Sequence, residues 1–340
     1  MSQHIGDMQN METAAFHKEV IEHLERILQV RPEAVVADLH PDYLSTRYAL
    51  EESGLPVLRL QHHYAHILAV MAEKGLMEPV VGLALDGSGY GEDRTIWGGE
   101  FLYVDPVRLE FKRLAHFAHM RLPGGEAAIR QPWRLAVAAL CALGRDPLAE
   151  GWPWLKGREQ AAGLVRTMLD KGLNSPLTSS CGRLFDAVSA LIGECPEISY
   201  EGQAAIRLEH IQTPDEMGSY DCGALTRGED GAALVFDSLS LVAQAADDIL
   251  RGTLPGVVSS RFHNGLSRGL AQAAATLCKL TGTRQVTLSG GVFSNKTLSR
   301  TLPGALSFHS LTPHMHQHTP PGDGCISLGQ AFFGQLTLPK

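Results

Sequence analysis

The chain has 340 residues, of which 44% are hydrophobic and 19% charged, and its formal net charge is −8. This length suffices for two lobes with separate cores, and no apolar run reaches the roughly 20 residues that a membrane span needs. The acidic charge argues against a nucleic-acid partner, because phosphate backbones are bound by clustered basic residues. With no signal-peptide pattern and no C-x-x-C pair among six scattered cysteines, we expect a cytoplasmic protein with reduced thiols.

The first predicted elements alternate between helices and strands. Apolar residues recur at helical spacing over residues 11–30, and Pro32 follows them, which predicts an amphipathic helix. Short apolar runs at 34–37 and 80–85 predict buried strands, and a helical stretch at 62–74 lies between them. This order predicts βαβ units and an open sheet.

The remaining elements follow a further strand, predicted at residues 97–104, and a loop at Pro123 to Gly125. Pro132 then opens a long helical region. The later predicted elements are helices at 239–251 and 257–280, a strand at 285–288 and a helix after Asp323 that runs through Gln330. Both halves contain a strand that ends in a Gly-rich turn, which indicates two related lobes around a cleft.

Two histidines near the start of the helix at 62–74 are spaced for metal binding. His62 and His66 are four residues apart and share one helix face, so their imidazoles can chelate one ion. The alternative for such a pair is a polar helix start in which the rings only cap or pair. The spacing alone leaves both interpretations open.

A Gly-rich segment, Asp86 to Gly91, directly follows the apolar run at 80–85. Glycines let backbone N–H groups face phosphate oxygens, and Asp86 can hold a metal ion or an attacking group. A hairpin turn uses the same residue types. The preceding strand favours a ligand-binding loop.

Two later segments have a similar composition. Ser289 to Asn295 combines a strand end, glycines and a helix start, so Asn295 can contact a nucleotide or cap the helix. Asp323 lies at a predicted helix N-terminus, where a carboxylate serves as an N-cap or as a ligand of a divalent cation. The set of His62, His66, Asp86 and Asp323 makes a mixed nitrogen and oxygen site suited to Fe, Zn or Mn, with open positions for substrate oxygens.

Three alternating histidines, His314, His316 and His318, lie in a Pro-flanked segment. Their spacing resembles a metal cluster, but the flanking prolines and polar neighbours favour a solvent-exposed or cleft-edge loop. We therefore leave them out of the predicted metal site.

The ordered motifs of the chain resemble one known family. They are SQHIGD, ADLHPDY, QHHYAH, LDGSGYG, WGGEF, SSCGRLFDAVSALIG, YEGQAA, LSGGVFSN and PPGDGCISLGQ. Together they resemble the C-terminal part of HypF, the family of [NiFe]-hydrogenase maturation factors, over nearly the whole chain. The TsaD-type threonylcarbamoyl transferases are cousins, but they have Glu-Gly where this chain has Tyr64-Ala65.

The resemblance implies an α/β fold of the bilobal actin-like ATPase (ribonuclease H-like) type, with two mixed-sheet lobes around a central cleft. The first lobe, 1–115, holds the histidine pair and the Gly-rich phosphate loop. The second lobe, 116–340, has helical insertions, and its last helix returns to the cleft. The β-hairpin that opens the first lobe of family members is missing here, as are their acylphosphatase-like, zinc-binding and YrdC-like domains. We expect either a fragment or a shortened relative.

The resemblance also implies roles for individual residues. The catalytic metal ligands fall on His62, His66, Asp86 and Asp323, with a divalent metal such as Fe or Zn. The nucleotide, which is ATP, AMP or carbamoyl-adenylate with Mg as a further ion, is contacted by Gly87, Ser88, Gly89, Gly182, Asp186, Gly202, Gly290, Gly291 and Asn295. One departure is Cys325, which replaces the usual glycine and can crowd the nucleotide or add a soft ligand.

The activity implied by the family is carbamoyl transfer. A YrdC-like domain makes carbamoyl-adenylate, which this chain is not expected to make itself, and the carbamoyl group then passes to the C-terminal cysteine thiolate of HypE. The resulting thiocarbamate is the precursor of a cyanide ligand. Two alternatives remain at this point, a TsaD-like transferase acting on tRNA and a non-enzymatic partner-binding module. A metallopeptidase is disfavoured because the glutamate of H-E-x-x-H is absent.

Overall fold

The computed structural model describes residues 1–6, 8, 10–149, 151–228, 231 and 233–338. The strands are β1 (Val35–Asp38), β2 (Val57–Leu60), β3 (Val80–Tyr90), β4 (Ile96–Asp105), β5 (Glu110–Phe117), β6 (Met120–Arg121), β7 (Leu177–Thr178), β8 (Thr226–Arg227), β9 (Leu234–Phe236), β10 (Gln285–Ser289) and β11 (Thr312–Met315). The helices are α1 (Met11–Leu28), α2 (Leu44–Arg47), α3 (His62–Lys74), α4 (Glu126–Arg130), α5 (Trp133–Ala142), α6 (Glu159–Lys171), α7 (Cys181–Leu191), α8 (Gln203–His210), α9 (Leu239–Leu250), α10 (Pro255–Thr281), α11 (Lys296–Phe308) and α12 (Ile326–Thr337). A π-helical turn lies at Tyr48–Glu52, and 3-10 turns lie at Pro153–Leu155, Gly291–Ser294 and Asp323–Cys325.

Capping residues explain where the main predicted helices begin and end. The helix predicted at 62–74 has the same bounds in the structure, because Gln61 accepts a hydrogen bond from the Tyr64 N–H and Gly75 follows in the left-handed region. The first helix begins after Asn10, whose side chain accepts from the Thr13 N–H. The predictions of α1 and α3 are confirmed.

The Gly-rich segment after the apolar run is not a turn. β3 continues through it to Tyr90, and its pairing with β4 shifts register between Leu85 and Gly89. The hairpin turns farther on, where the Gly91 N–H donates to the Thr95 carbonyl. The hairpin-turn alternative for 86–90 is therefore wrong, because a β-bulge absorbs the glycines within the strand.

The strands of the described residues form a two-stranded parallel sheet, β1-β2, and a nine-stranded mixed sheet. The main path of the larger sheet is β11-β10-β3-β4-β5-β9-β8, and the short β6 and β7 join it beside β4. β10 pairs in parallel with β3, while β4 is antiparallel to both β3 and β5. The large sheet thus contains strands from both predicted lobes, and the lobe boundary at residue 115 stays a prediction.

Hydrophobic residues cover both faces of the large sheet. On β3, Val81, Leu83 and Leu85 point into a core shared with α5, α7, α9, α10 and α11, while Val80 and Ala84 point into a second core with α3. This alternation is the side-chain period of a strand buried on both faces. The burial fixes the end of β3 beside the start of α3, where the polar residues of the site lie.

α12 packs closely on α3 through a glycine. A Cβ built on Gly329 would lie 1.9 Å from the Ala65 carbonyl oxygen, so only glycine allows this approach. α12 follows the turn that contains Asp323, and α3 contains the two metal-spaced histidines. The contact between α12 and α3 therefore holds Asp323 near His62 and His66, the predicted metal ligands. None of the helices described in the structure has the length and apolarity that crossing a bilayer requires.

Candidate metal centre and adjoining cavity

The four residues predicted as metal ligands come together in one cluster. His62 and His66 lie on the same face of α3, Asp86 lies at the bulge of β3, and Asp323 lies in the turn before α12. One ligand atom of each residue lies within 4.8 Å of the others. Three segments that are distant in the sequence thus form a single candidate metal centre.

The ligand atoms converge on a common point. Asp86 Oδ2 lies 3.2 Å from His66 Nε2 and 3.4 Å from His62 Nε2, and Asp323 Oδ1 lies 3.6 Å from each of these nitrogens. The side chains of His62 and His66 are buried, whereas that of Asp323 is 75% exposed. The cluster is therefore closed by protein on one side and accessible beside Asp323, which is the open position that a substrate oxygen needs.

The unpartnered atoms of the cluster fit a bound divalent ion. His62 Nε2 is buried and has no hydrogen-bond partner of its own. The outer nitrogens are occupied, since His62 Nδ1 lies 2.8 Å from Asp38 Oδ2 and His66 Nδ1 lies 3.1 Å from Ser289 Oγ. Such outer contacts direct each Nε2 lone pair inward. Two neutral imidazoles and two carboxylates match a divalent cation such as iron or zinc in charge and ligand type.

The pKa values show how strongly the cluster attracts positive charge. Burial disfavours the imidazolium forms of His62 and His66, but the nearby carboxylate of Asp323, with Asp38 and Asp86 for His62 and with Asp86 for His66, outweighs it and raises both pKa values well above the usual range. Burial likewise opposes ionisation of Asp86, yet its histidine partners hold its pKa well below the usual range. The same carboxylates would attract a divalent cation at this point.

The neighbouring His63 behaves differently. It is fully buried, and burial followed by repulsion from His62 lowers its pKa to about 3. Its ring also fills the space beside Gly89, where a Cβ would lie 2.5 Å from His63 Cε1. We assign His63 a packing role next to the cluster.

A cavity of about 340 Å³ adjoins the cluster and shares Asp86 with it. Several of the residues predicted to contact a nucleotide line it, namely Gly87, Gly182, Asp186, Gly202, Gly291 and Asn295. The lining also includes residues that the sequence did not suggest, which are Arg183, Phe185, Glu201, Ala205, Ile206, Glu209, Val292 and Ser294. This size lies within the range of small-molecule sites.

Glycines let the backbone approach the cavity closely. A Cβ on Gly182 would lie 3.0 Å from the Cα of Gly87, and one on Gly291 would lie 3.0 Å from Asp86 Oδ1. Ser180 caps α7 by accepting from the Arg183 N–H, and its hydroxyl donates to the Gly87 carbonyl. The N-terminus of α7 therefore faces the Gly-rich segment, an arrangement that favours a phosphate group.

The side chains of the cavity suit the other parts of a nucleotide. Ile206 and Val292, which are not buried, offer apolar surface for a base, whereas Phe185 is almost fully buried behind the lining. Arg183 Nε lies 2.7 Å from Asp186 Oδ2, and both side chains are buried. Burial raises the pKa of Asp186 although Arg183 opposes this shift. A carboxylate in the wall of a nucleotide cavity can accept hydrogen bonds from ribose hydroxyls.

Asn295 has the capping role that the sequence left open. Its Oδ1 accepts from the Leu298 N–H, and its Nδ2 lies 3.1 Å from His263 Nε2. Both ends of the amide are therefore engaged within the protein, although the residue lines the cavity. A direct contact between Asn295 and a nucleotide stays a prediction.

Three other predicted nucleotide contacts lie outside the cavity lining. Ser88 is exposed, Gly89 packs against His63, and Gly290 lies against the backbone of Leu85. A Cβ on Gly290 would lie 2.1 Å from the Leu85 carbonyl oxygen, and its φ of 109° is in a region that favours glycine. The contacts of these residues with a nucleotide stay predictions.

Two residues near Asp323 differ from the expectation. The side chain of His316 is only 3% exposed and contacts Ser289 and Glu73, so of the two predicted settings, a solvent-exposed loop and a cleft-edge loop, the solvent-exposed one is wrong for this residue. The loop prediction is also wrong for His314, which lies in β11. Cys325 is fully buried behind His66, with its Sγ 3.4 Å from His66 Nδ1. It lies neither in the cavity lining nor on the ligand side of the ring. Burial opposes ionisation of the thiol, but His316 and His66 outweigh it and lower its pKa to about 6.

Comparison with known proteins identifies the family. The family model described as "HypF Kae1-like domain" matches residues 1–73, and the model described as "Carbamoyltransferase, Kae1-like Domain, second subdomain" matches residues 82–330. The chain belongs to the HypF family. The predicted resemblance is thereby confirmed.

Curated HypF relatives extend over the whole chain. Carbamoyltransferase HypF2 of Cupriavidus necator is 40% identical over 367 residues, which cover 100% of this chain and 44% of the relative. Carbamoyltransferase HypF of Rhizobium leguminosarum bv. viciae is 41% identical over 342 residues, which cover 99% of this chain and 43% of the relative. The chain thus spans less than half the length of these HypF proteins.

Solved HypF structures confirm the fold class. The crystal structure of full-length HypF in the phosphate- and nucleotide-bound form matches with a TM-score of 0.91 at 36% identity, over 99% of this chain and 52% of that one. The HypF of T. kodakarensis matches with a TM-score of 0.87 at 31% identity, over 98% of this chain and 44% of that one. The predicted α/β, actin-like class of HypF agrees with the mixed sheets seen here.

Proposed function

We propose that the chain transfers a carbamoyl group from carbamoyl-adenylate to the C-terminal cysteine of HypE, a step in making the cyanide ligands of [NiFe]-hydrogenase in the cytoplasm. The observation that carries this proposal is the position of Asp86. Its Oδ2 belongs to the metal cluster, 3.2 Å from His66 Nε2, and its Oδ1 accepts from the Gly291 N–H at the wall of the cavity. An acyl-nucleotide bound in the cavity would place its reactive end at the cluster.

The cavity supports the donor half of the proposal. The relative with a TM-score of 0.91 was solved in a phosphate- and nucleotide-bound form. In this chain, the apolar wall at Ile206 and Val292 would hold adenine, and Asp186 would accept a hydrogen bond from a ribose hydroxyl. The N-terminus of α7 would stabilise the phosphate of AMP as it leaves. A separate YrdC-like domain or protein would supply the carbamoyl-adenylate.

The cluster supports the transfer half. His62, His66, Asp86 and Asp323 would hold a divalent ion, which would polarise the carbamoyl carbonyl and offset the charge of the phosphate. The thiolate sulfur of HypE would form the new C–S bond, and the bond between the carbamoyl carbon and the phosphate oxygen would break to release AMP.

The direct test is transfer of labelled carbamoyl from supplied carbamoyl-adenylate to purified HypE. We expect transfer by the wild type, and its loss in His62→Ala and Asp323→Ala. His318→Ala serves as a control, because this exposed residue lies two positions from His316 and outside the cluster. Transfer to tRNA in place of HypE would instead support a TsaD-like activity. Nucleotide binding without any transfer would support a partner-binding module.

A further inference from the structure

A continuous series of polar contacts, called the polar chain below, starts at His66 Nδ1, the ring nitrogen that faces away from the metal cluster. His66 Nδ1 lies 3.1 Å from Ser289 Oγ, which lies 2.9 Å from His316 Nε2. On the other side of that ring, His316 Nδ1 lies 2.7 Å from Thr319 Oγ1 and 3.4 Å from Glu73 Oε2. The Thr319 hydroxyl donates to Glu73 Oε2 at 2.6 Å. The polar chain therefore ends on the Glu73 carboxylate.

Glu73 is held firmly in this position. Its side chain is 5% exposed, and it accepts hydrogen bonds from the backbone N–H groups of Gln317, His318 and Thr319. Burial opposes ionisation, but the hydrogen bonds from Thr319 and these amides outweigh it and lower the pKa of Glu73 to about 2. The far end of the polar chain is thus a carboxylate that is ionised and held in place.

A carboxylate at one end favours one direction of proton donation along the polar chain. An ionised carboxylate only accepts, so the Thr319 hydroxyl and the His316 Nδ1–H point toward Glu73. His316 Nε2, 2.9 Å from Ser289 Oγ, is then a closer acceptor for the Ser289 hydroxyl than the Pro321 carbonyl at 3.3 Å. Ser289 Oγ, at 3.1 Å, is a closer acceptor for the His66 Nδ1–H than Cys325 Sγ at 3.4 Å. In this tautomer the lone pair of His66 lies on Nε2, the nitrogen that faces Asp86 and Asp323.

We propose that Ser289, His316 and Glu73 are positioning residues that set the tautomer and ring orientation of His66 for metal binding. This inference rests on the proposed metal site. The other histidine ligand has a simpler support, because Asp38 Oδ2 contacts His62 Nδ1 directly at 2.8 Å. The carboxylate that orients His66 acts instead through a second imidazole and a hydroxyl. Removing a partner that orients a metal ligand lowers metal affinity by about 10-fold to 100-fold.

The experiment measures zinc affinity by chelator competition and the visible absorption spectrum of the Co²⁺-loaded chain. Ser289→Ala and His316→Phe are expected to bind zinc about 10-fold to 100-fold more weakly, with altered Co²⁺ bands. Glu73→Gln, which keeps the side-chain shape, is expected to show a loss of the same sign. The matched control is His314→Phe on β11. The His314 ring contacts Gln285 and lies outside the polar chain, so this variant should bind zinc as the wild type does.

Two further measurements separate the possible outcomes. AMP affinity in the presence of EDTA should stay at the wild-type value in every variant, because the polar chain lies outside the cavity lining. If zinc affinity and the Co²⁺ spectrum are unchanged in Ser289→Ala, the positioning role is overturned and the proposed function stands. Equal losses of AMP and zinc affinity would indicate general structural damage and also overturn it. A wild type that binds no zinc would overturn the metal site and the positioning role together.

Discussion

Substituting the glycine between α12 and α3 would test whether helix packing sets the metal site. In Gly329→Ala, the new Cβ would lie 1.9 Å from the Ala65 carbonyl oxygen and 3.0 Å from the Ala69 nitrogen. Both are backbone atoms, so no side-chain rotation can relieve the contact. A carbon atom approaches a carbonyl oxygen to about 3.3 Å, which requires the helices to separate by roughly 1.4 Å.

This separation would reach the ligands directly. His62 and His66 lie on α3, and Asp323 lies in the turn that leads into α12. Their ligand atoms now lie within 4.8 Å of one another, and the separation of the helices would increase these distances. Metal sites tolerate changes of only about 0.2 Å in ligand distance. Overpacking of this kind costs about 1–3 kcal/mol. We therefore expect a lower free energy of unfolding together with a loss of zinc affinity of at least about 10-fold.

Urea denaturation of the metal-free chain and chelator competition for zinc measure these two effects. The control is Gly304→Ala in the exposed part of α11, where a Cβ would have no atom within 4 Å. This change should leave zinc affinity unaltered and stabilise the chain by roughly 0.5–1 kcal/mol, since alanine is the better helix former. A Gly329→Ala variant with wild-type stability and wild-type zinc affinity would refute the reasoning.

Three other predictions concern separate parts of the site. Asp38→Ala removes the carboxylate that orients a histidine ligand, so zinc affinity should fall by about 10-fold to 100-fold in chelator competition; no change would show that the contact is dispensable. Glu73→Gln should remove stability that is present above pH 4.5 and lost as the pH falls toward 2, because folding lowers this pKa from 4.5 to about 2. The stability difference from the wild type, on the order of 1–2 kcal/mol at pH 7, should shrink in urea titrations at low pH, and a pH-independent difference would contradict this. Gly182→Val should weaken AMP binding by at least about 10-fold in calorimetry, because a Cβ there would lie 3.0 Å from Gly87 Cα, whereas Gly163→Ala on exposed α6 should not.

Local elements could be predicted from the sequence because their signals are local. The bounds of α3 depend on Gln61 and Gly75, which lie next to the helix, and the apolar period of α3 repeats within a few residues. β3 was predicted too short because a run of glycines normally ends a strand. The structure continues it, since β4 pairs with the far side of the bulge through Trp97 and Ile96.

The supporting residues of the site could not be predicted in the same way. Asp38 contacts a residue 24 positions away, and the contact of His66 with Ser289 joins residues 223 positions apart. His316 was predicted to lie in a solvent-exposed or cleft-edge loop because prolines flank the segment. The structure buries it because Glu73, 243 positions away, lies against its ring. A sequence pattern does not contain such distant contacts, so the burial of a polar side chain in a loop is not visible in it.

The bulge in β3 explains how one carboxylate serves both halves of the site. In a regular strand, Asp86 would remain in the ladder beside β4, but the register shift between Leu85 and Gly89 releases it from the ladder within β3. Gly98 makes room for this path, since a Cβ there would lie 2.7 Å from the Asp86 carbonyl oxygen, and Ser180 Oγ lies 3.2 Å from that same oxygen. With the backbone held on both sides, Asp86 directs Oδ2 to the histidines and Oδ1 to the Gly291 N–H. Gly98, the first glycine of the WGGEF motif, therefore supports the candidate metal centre and the cavity wall at the same time.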